Sequence, residues 1–305
     1  MSASFRIGGY QGERSVLTRA MDGLARELDR LVGGVVFDMD ATTSGTTARA
    51  LFDGVETGAY GMCYMASGYL TARVPSLAVL DLPFSVTDRQ AAYAALDGEA
   101  GHMLRRDVEA STGYRVLGFW DNGFRHVSNR RHPIRGIGDC RGLVIRTLDN
   151  AIYREVLAAM GFVPRSIDVR DFRAAVRDGE VDAQENPLTN MLNFGIERYH
   201  RFVSLTGHFF GVALLLCHRR WFDALSSDIQ ARLREAALHA TGLQRSFAEA
   251  EDVSAIADLR RAGVDVVAWH DLDRSGFEAA CRPVAQRVAA GLSPDLRRAY
   301  LGSSA

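Results

Sequence analysis

Residues 118–133 read GFWDNGFRHVSNRRHP. An aromatic, strand-like run breaks at Asp121-Asn122-Gly123 and resumes with Phe124-Arg125-His126-Val127. Arg125 is thereby held between apolar neighbours, while Arg130 and Arg131 follow in polar company, where a surface charge is at home. Two readings of Arg125 are open: a strand end emerging into solvent, or a cation aimed at an acid.

Outward from this stretch, strand and helix signals alternate. Upstream, FRIGGY is strand-like, and residues 14–32 place Val16, Leu17, Met21, Leu24, Leu28 and Leu31 at helical spacing before Gly33-Gly34. GVVFDMD (34–40) is the next strand, 45–57 a short helix and GAYGMCYM a further strand. This βαβα order predicts a parallel sheet covered by helices. Residues 88–110 read as one helix, and YRVLGFWDN as the strand that enters the opening motif. Downstream, GLVIRT (142–147) is a strand, 150–161 and 168–178 are helices, EVDAQ is a strand and 188–195 a helix. Two apolar segments, RFVSLT (201–206) and FFGVALLLC (209–217), are separated by Gly207 and His208.

From about Ser226 to Ala262 the pattern is helical, interrupted only by Gly242. At about 1.5 Å per residue that run spans roughly 55 Å, longer than one lobe of ordinary size is wide. Its apolar positions do not keep the 3.5 repeat of a coiled coil, so it reads as a helix bridging two lobes. GVDVVAW (263–269) is a last strand, with helices over about 274–290 and 293–301. No Pro/Ser-rich linker interrupts the chain. With two lobes, it must cross between them inside regular structure more than once.

The 305 residues suffice for two lobes, and 47% hydrophobic with 24% charged residues is a globular composition. A formal net charge of -1 offers no field for nucleic acid or an anionic membrane. All 36 basic residues are arginine, so arginine count alone marks no site. The longest apolar stretch, 209–217, falls short of the ~20 residues a membrane span needs. MSASFRIGGY lacks the n- and h-regions of an export signal. The expectation is either a cytoplasmic protein or the mature form of an exported one, and an opening on strand-like FRIGG suits the second. Cys63, Cys140, Cys217 and Cys281 lie far apart without a C-x-x-C pair and read mostly as buried thiols, their disulfide state unassigned. No metal or cofactor is expected.

Three segments carry the chemistry: NGFR (122–125), GLVIRT and QENP (184–187). Arg146 ends a strand whose preceding Leu143, Val144 and Ile145 form a continuous buried-type run, and the carboxyl ends of such strands are where open α/β sheets bind ligands. Taken singly, an arginine emerging into solvent is the simpler account. Arg125, Arg146 and the Asn186 amide together would form a donor-rich, acceptor-poor cluster. That matches a carboxylate, since guanidinium presents a planar fork to both oxygens. Against this stand a turn closed by Gln184 and Asn186 before Pro187, and pairing of Glu185 with a neighbouring arginine. Catalytic signals are thin: there is no G-x-S-x-G elbow, Walker loop or Rossmann fingerprint. His208 with Cys63 or Ser204 would make a nucleophile–base pair only if the fold joined them.

FWDNGFRHVSN, RRHPI, GLVIRT, DGEVDAQENP, SLTGH and RRWFDALS follow in that order, with DLPF (81–84) ahead of a helix. The set closely resembles the DctP-type solute-binding proteins of tripartite ATP-independent periplasmic (TRAP) transporters over about residues 4–300. The resemblance implies an α/β, two-lobed periplasmic-binding-protein-like fold. Each lobe is a mixed sheet flanked by helices, with crossing strands and one long helix spanning both. Lobe I is expected to comprise 1–123 with 213–250, and lobe II 124–212 with 251–305. A small organic acid would bind in the cleft and the lobes close over it by a hinge motion. Arg146 matches the family's carboxylate-pairing arginine, Arg125 its second cleft arginine and Asn186 its cleft asparagine. Tyr10, Tyr64 and Phe210, with Trp120 nearby, are nominated to set ligand size. The sequence departs from the family pattern at Gly138 and Cys140, at Ala183, and at Val169, where many relatives carry an aromatic residue over the ligand.

The implied protein is a non-enzymatic, periplasmic, monomeric binder that delivers a carboxylate metabolite to TRAP permease subunits. A sensing or cytoplasmic binding protein, or an enzyme on the same scaffold with His208 and Cys63 as its suspects, are the rival readings.

Overall fold

The computed structural model describes residues 5–302. The first four residues of the segment searched for an export signal, and residues 303–305, lie outside them.

Nine strands form one sheet: β1 (Phe5–Gly8), β2 (Val35–Asp38), β3 (Met62–Ala66), β4 (Tyr114–Asn129), β5 (Val144–Thr147), β6 (Val163–Ser166), β7 (Ala183–Pro187), β8 (Phe202–His218) and β9 (Asp265–Val267). Their order is β2-β1-β3-β8-β4-β7-β5-β6, with β9 beside β8. The parallel β1–β2–β3 set makes the first lobe and the parallel β5–β6 and β5–β7 pairs the second. The two long strands β4 and β8 run antiparallel between them and belong to both.

The two apolar segments read as separate are thus one strand, β8, and the aromatic run with NGFRHVSN is one strand, β4. Continuity survives Asn122-Gly123 and Gly207 because bulges absorb them: the β4–β8 register slips between Asp121 and Gly123 and between Arg125 and Val127. Gly123 has φ 88°, and a Cβ there would lie 2.9 Å from Pro187 Cβ. Gly123→Ala is therefore expected to lower stability by about 1–3 kcal/mol. A thermal melt reads this directly, and an unchanged melting temperature would mean that the crossing relaxes without strain.

The long helix runs Ser227–Arg261, with the Ser226 hydroxyl capping it. Gln244, fully buried at its middle, accepts from Asp121 N (2.7 Å) and donates to Asp121 O (2.6 Å), and Thr241 accepts from Trp120 Nε1 (3.0 Å). The helix is thereby tied to β4 just before the bulge. Beside this tie, the Asp121 carboxylate takes Arg89 at 2.9 Å and the Tyr93 hydroxyl at 2.5 Å.

Other elements differ locally from expectation. Residues 88–110 form two helices, Arg89–Asp97 and Glu99–Ser111, broken at Gly98. The edge strand β6 was hidden by Pro164 and by its exposed pattern, which carries no alternation. QENP lies inside β7 as a fully buried strand, not a turn, because β7 pairs antiparallel with β4 from Asn129–Ala183 to Arg125–Pro187. The first lobe has one apolar core and the second has two, one on each side of its sheet. The last helix, Pro294–Leu301, packs Leu296 and Tyr300 into the first lobe's core, where the sequence reading had assigned it to lobe II.

Candidate functional site

Arg146 and Arg125 come from strands on either side of β7, and their surroundings differ. Val127 of β4 stands opposite Glu185 of β7, so Arg125 and Glu185 are diagonal neighbours on one face of the sheet. Both are buried, and Arg125 grips Glu185 with Nε on Oε2 and Nη2 on Oε1 (2.9 Å). Nη2 also donates to the Glu185 carbonyl (3.0 Å) and to Asn186 Oδ1 (3.3 Å). Thr147 Oγ1 donates to Glu185 Oε1 at 2.7 Å, and His208 Nε2 stands 3.5 Å from Oε2. Burial alone would raise the pKa of Glu185, but the Arg125 charge and the contacts to His208 and Arg125 outweigh it and bring it to about 2. Burial lowers His208, against the pull of Glu185. Burial likewise works against Arg125, yet the Glu185 charge holds its pKa above the usual value. Arg125 thus has an internal counterion, so it does not wait for an arriving acid to pair it.

Arg146 has no such partner. It is 3% exposed, and its Nε and Nη2 both donate to the Ile167 carbonyl, at 2.9 and 2.7 Å. Its guanidinium lies over the Phe172 ring, 4.4 Å from the centroid. Among the described residues it makes no ion pair with a carboxylate. Burial accordingly lowers its pKa, whereas its neighbour's is raised. The fork is fixed at Nε and Nη2 on that carbonyl, and the Tyr69 hydroxyl lies beside the guanidinium.

Both arginines line one cavity together with Tyr10, Gln11, Ala66, Tyr69, Asn122, Leu148, Val169, Asn186, Asn190 and Phe194. Its free volume is about 20 Å³, room for one or two waters. The walls already meet across the cleft, so an acid of several heavy atoms enters only when the lobes part. Contacts between the lobes hold it shut: Asn193 donates to Gln11 O (2.5 Å), Arg170 to Gly45 O (3.3 Å) and Asn150 Nδ2 to Gly68 O (3.0 Å). Asn150 Nδ2 also reaches Asp81 (2.8 Å), whose carboxyl is pushed up to about 6 by burial against its bonds to Thr71 and Asn150.

The six residues nominated from sequence separate cleanly. Arg125, Arg146, Asn186 and Tyr10 border the cavity. The Asn186 amide is held by Arg125 and by Gln184 Oε1 (2.7 Å), and the Tyr10 hydroxyl accepts from Ala66 N (3.1 Å). Tyr64 is fully buried behind the Tyr10 loop, its hydroxyl accepting from Tyr10 N and Gln11 N and bonding Thr18. Phe210 packs against Phe124 and Tyr93 in the first lobe's core. Neither Tyr64 nor Phe210 is part of the cavity wall. Gln11, Tyr69, Asn122, Leu148, Asn190 and Phe194 were not nominated. Only Asn122, inside NGFR, carried a sequence signal. Val169 does line the cleft, and Phe194, at the end of the helix after QENP, supplies an aromatic wall. The suspected nucleophile pairs are not assembled. Burial pushes the Cys63 thiol up, His208 bonds Thr206, and Ser204 donates to the Ile134 carbonyl.

Two lobes joined by crossing strands, with a buried arginine that has no carboxylate partner at the cleft between them, are the architecture of a solute-binding protein. The pattern of the family described as "Bacterial extracellular solute-binding protein, family 7" matches residues 7–291, and the chain belongs to that family, known as DctP. It is 30% identical over 233 residues to the 2,3-diketo-L-gulonate-binding periplasmic protein YiaO of Escherichia coli, covering 76% of this chain and 70% of that one. It is 28% identical over 220 residues to the C4-dicarboxylate-binding periplasmic protein DctP of Rhodobacter capsulatus, covering 71% of this chain and 65% of that one. The crystal structure of a TRAP periplasmic solute-binding protein from Polaromonas sp. JS666 bound to D-erythronate superimposes with a TM-score of 0.92 at 26% identity, over 99% of both chains.

Proposed function

We propose that this chain captures one small organic acid between its lobes in the periplasm and delivers it, as a monomer and without chemical change, to the permease of a TRAP transporter. One observation carries the reading: Arg146 is buried at the cavity with its fork fixed and no carboxylate beside it. A bound carboxylate would take the guanidinium edge turned away from Ile167 and complete a charge-assisted pair. Arg125 Nη1 and the Asn186 edge of β7 would add further donors. Lobe I would be 5–123 with 213–250 and the final helix, lobe II the remainder, and the β4–β8 bulges near Gly123 and Gly211 would serve as the hinge. The relatives' names span a diketo sugar acid, a C4-dicarboxylate and erythronate, so likeness alone supports an acid without choosing its class.

The test is mass spectrometry of ligand released from the denatured protein, followed by thermal shift with that compound. Acid present at 100 times its Kd is expected to add about 2.7 kcal/mol of stability and to be recovered unchanged. Absence of any carboxylate-bearing ligand that stabilises the protein, or steady turnover of it, would overturn the proposal.

A further inference from the structure

We infer that Asn150 of the second lobe, with Asp81 and Gly68 of the first, forms a closing latch: a contact outside the cavity wall that touches no solute and sets acid affinity by setting how readily the lobes shut. The inference rests on the capture reading above and adds the residues that govern its closing step.

The two sides of the latch belong to different cores. Asp81 ends a short helix, Pro75–Asp81, whose Leu77, Val79 and Leu80 lie in the first lobe's core. Asn150 follows β5 and caps the helix Ala151–Ala159, whose Tyr153, Val156 and Leu157 lie in a core of the second lobe. Asn150 Oδ1 accepts from Tyr153 N at 3.1 Å, which fixes the amide and leaves Nδ2 to bond elsewhere. Both of its bonds cross the boundary, to Gly68 O (3.0 Å) and to Asp81 Oδ2 (2.8 Å). Asp81 is fully buried, and the Thr71 hydroxyl at 2.6 Å is its other hydrogen-bond donor among the described residues. The carboxylate therefore takes half of its donors from the opposite lobe.

Gly68 records the same close approach in the backbone. Its φ is not positive, so left-handed geometry does not explain a glycine here, whereas contact with the other lobe does. A Cβ on Gly68 would lie 3.1 Å from Asn150 Nδ2 and 3.2 Å from Leu148 Cδ1, and its nearest neighbours all belong to the second lobe. The remaining polar contacts across the cleft are wetter: Arg170 to Gly45 O is exposed and Asn193 to Gln11 O is part-buried. A buried, charge-assisted bond is the stronger kind. Because binding includes closing, a contact made only in the closed form raises the affinity for every acid by the same factor.

Two substitutions attack the latch from opposite sides. Asn150→Asp keeps the helix cap, since aspartate caps as well as asparagine, but turns an acceptor on Gly68 O and Asp81. Gly68→Ala wedges the boundary from the first lobe. Titration calorimetry uses D-erythronate, galactonate, succinate and the acid recovered from the protein. Asn150→Asp is expected to weaken binding about 10- to 100-fold, equally for every acid that binds, with a ligand-free melting temperature near the parent's. Gly68→Ala is expected to weaken binding in the same uniform way. Adding Asp81→Asn to Asn150→Asp restores a donor–acceptor pair of reversed polarity and should recover much of the loss. Unchanged affinity in both single variants, or weakening that differs more than about tenfold between acids, overturns the latch. So does a double variant no better than Asn150→Asp, or ligand-free stability that falls in step with affinity. An unsubstituted protein that binds none of these acids overturns the capture reading and the latch with it.

Discussion

Arg146→Ala is expected to weaken acid binding by about 3–5 kcal/mol, roughly 10²- to 10³·⁵-fold in Kd, as read by titration calorimetry with the acid recovered from the protein. The ligand-free protein should lose far less stability. In that state Arg146 is a buried cation whose burial already disfavours its charge, and its removal gives up the Ile167 carbonyl and the Phe172 stack but no ion pair. Separation of the two effects distinguishes a binding residue from a structural one. Arg146→Lys is expected to fail nearly as badly. The arginine is aimed by two nitrogens on one carbonyl and by its stack on Phe172, and an ammonium reproduces neither the fork nor the flat face. Near-normal affinity in the lysine variant would refute the fork as the recognition element.

Glu185→Gln is expected to act in the opposite sense, on the fold more than on the ligand. It strips Arg125 of its counterion inside a fully buried cluster, a change that costs about 3–5 kcal/mol when the surviving charge has nowhere to go. The effect has a defined pH window. The folded pKa of Glu185 is depressed to about 2, below the ~4.3 of an unfolded glutamate. Its contribution is therefore present in full above about pH 4.3 and lost as pH falls through about 2. Chemical denaturation of both proteins should show a gap that is wide at pH 6 and narrows steadily below pH 4. Adding Arg125→Met to Glu185→Gln should recover stability, because the orphaned cation is removed. A gap that does not change with pH, or a double variant less stable than the single one, would show that the pair is not what holds this part of the sheet.

Much of the architecture was legible in the residues. The helix of 35 residues and the lobe-bridging role it implies came from an uninterrupted helical pattern too long for one lobe. The parallel half-sheets came from βαβα order. What was missed fails for physical reasons. Gly207 and Asn122-Gly123 look like strand ends, yet bulged pairing between two long strands absorbs them, and pairing is a property of two segments far apart in sequence. The last helix carries no sequence signal that says which core it joins, and its Leu296 and Tyr300 lie in one core with the apolar residues of β1 and β3.

For the site, the sequence by itself determined that two arginines and an asparagine lie at strand-like segments, and the resemblance of the linked motifs to the family, not periodicity, joined them in one cleft. It could not assign their partners. Glu185 and Arg125 are sixty residues apart, and which cation it neutralises depends on the register of β7 on β4 and on the low-dielectric space around them. Only the tertiary structure decided that Arg125 is internally paired with Glu185 and that Arg146 rests on a backbone carbonyl without a carboxylate partner. Charge compensation in a buried site is set by distances through space, and those distances exist only once the strands have paired.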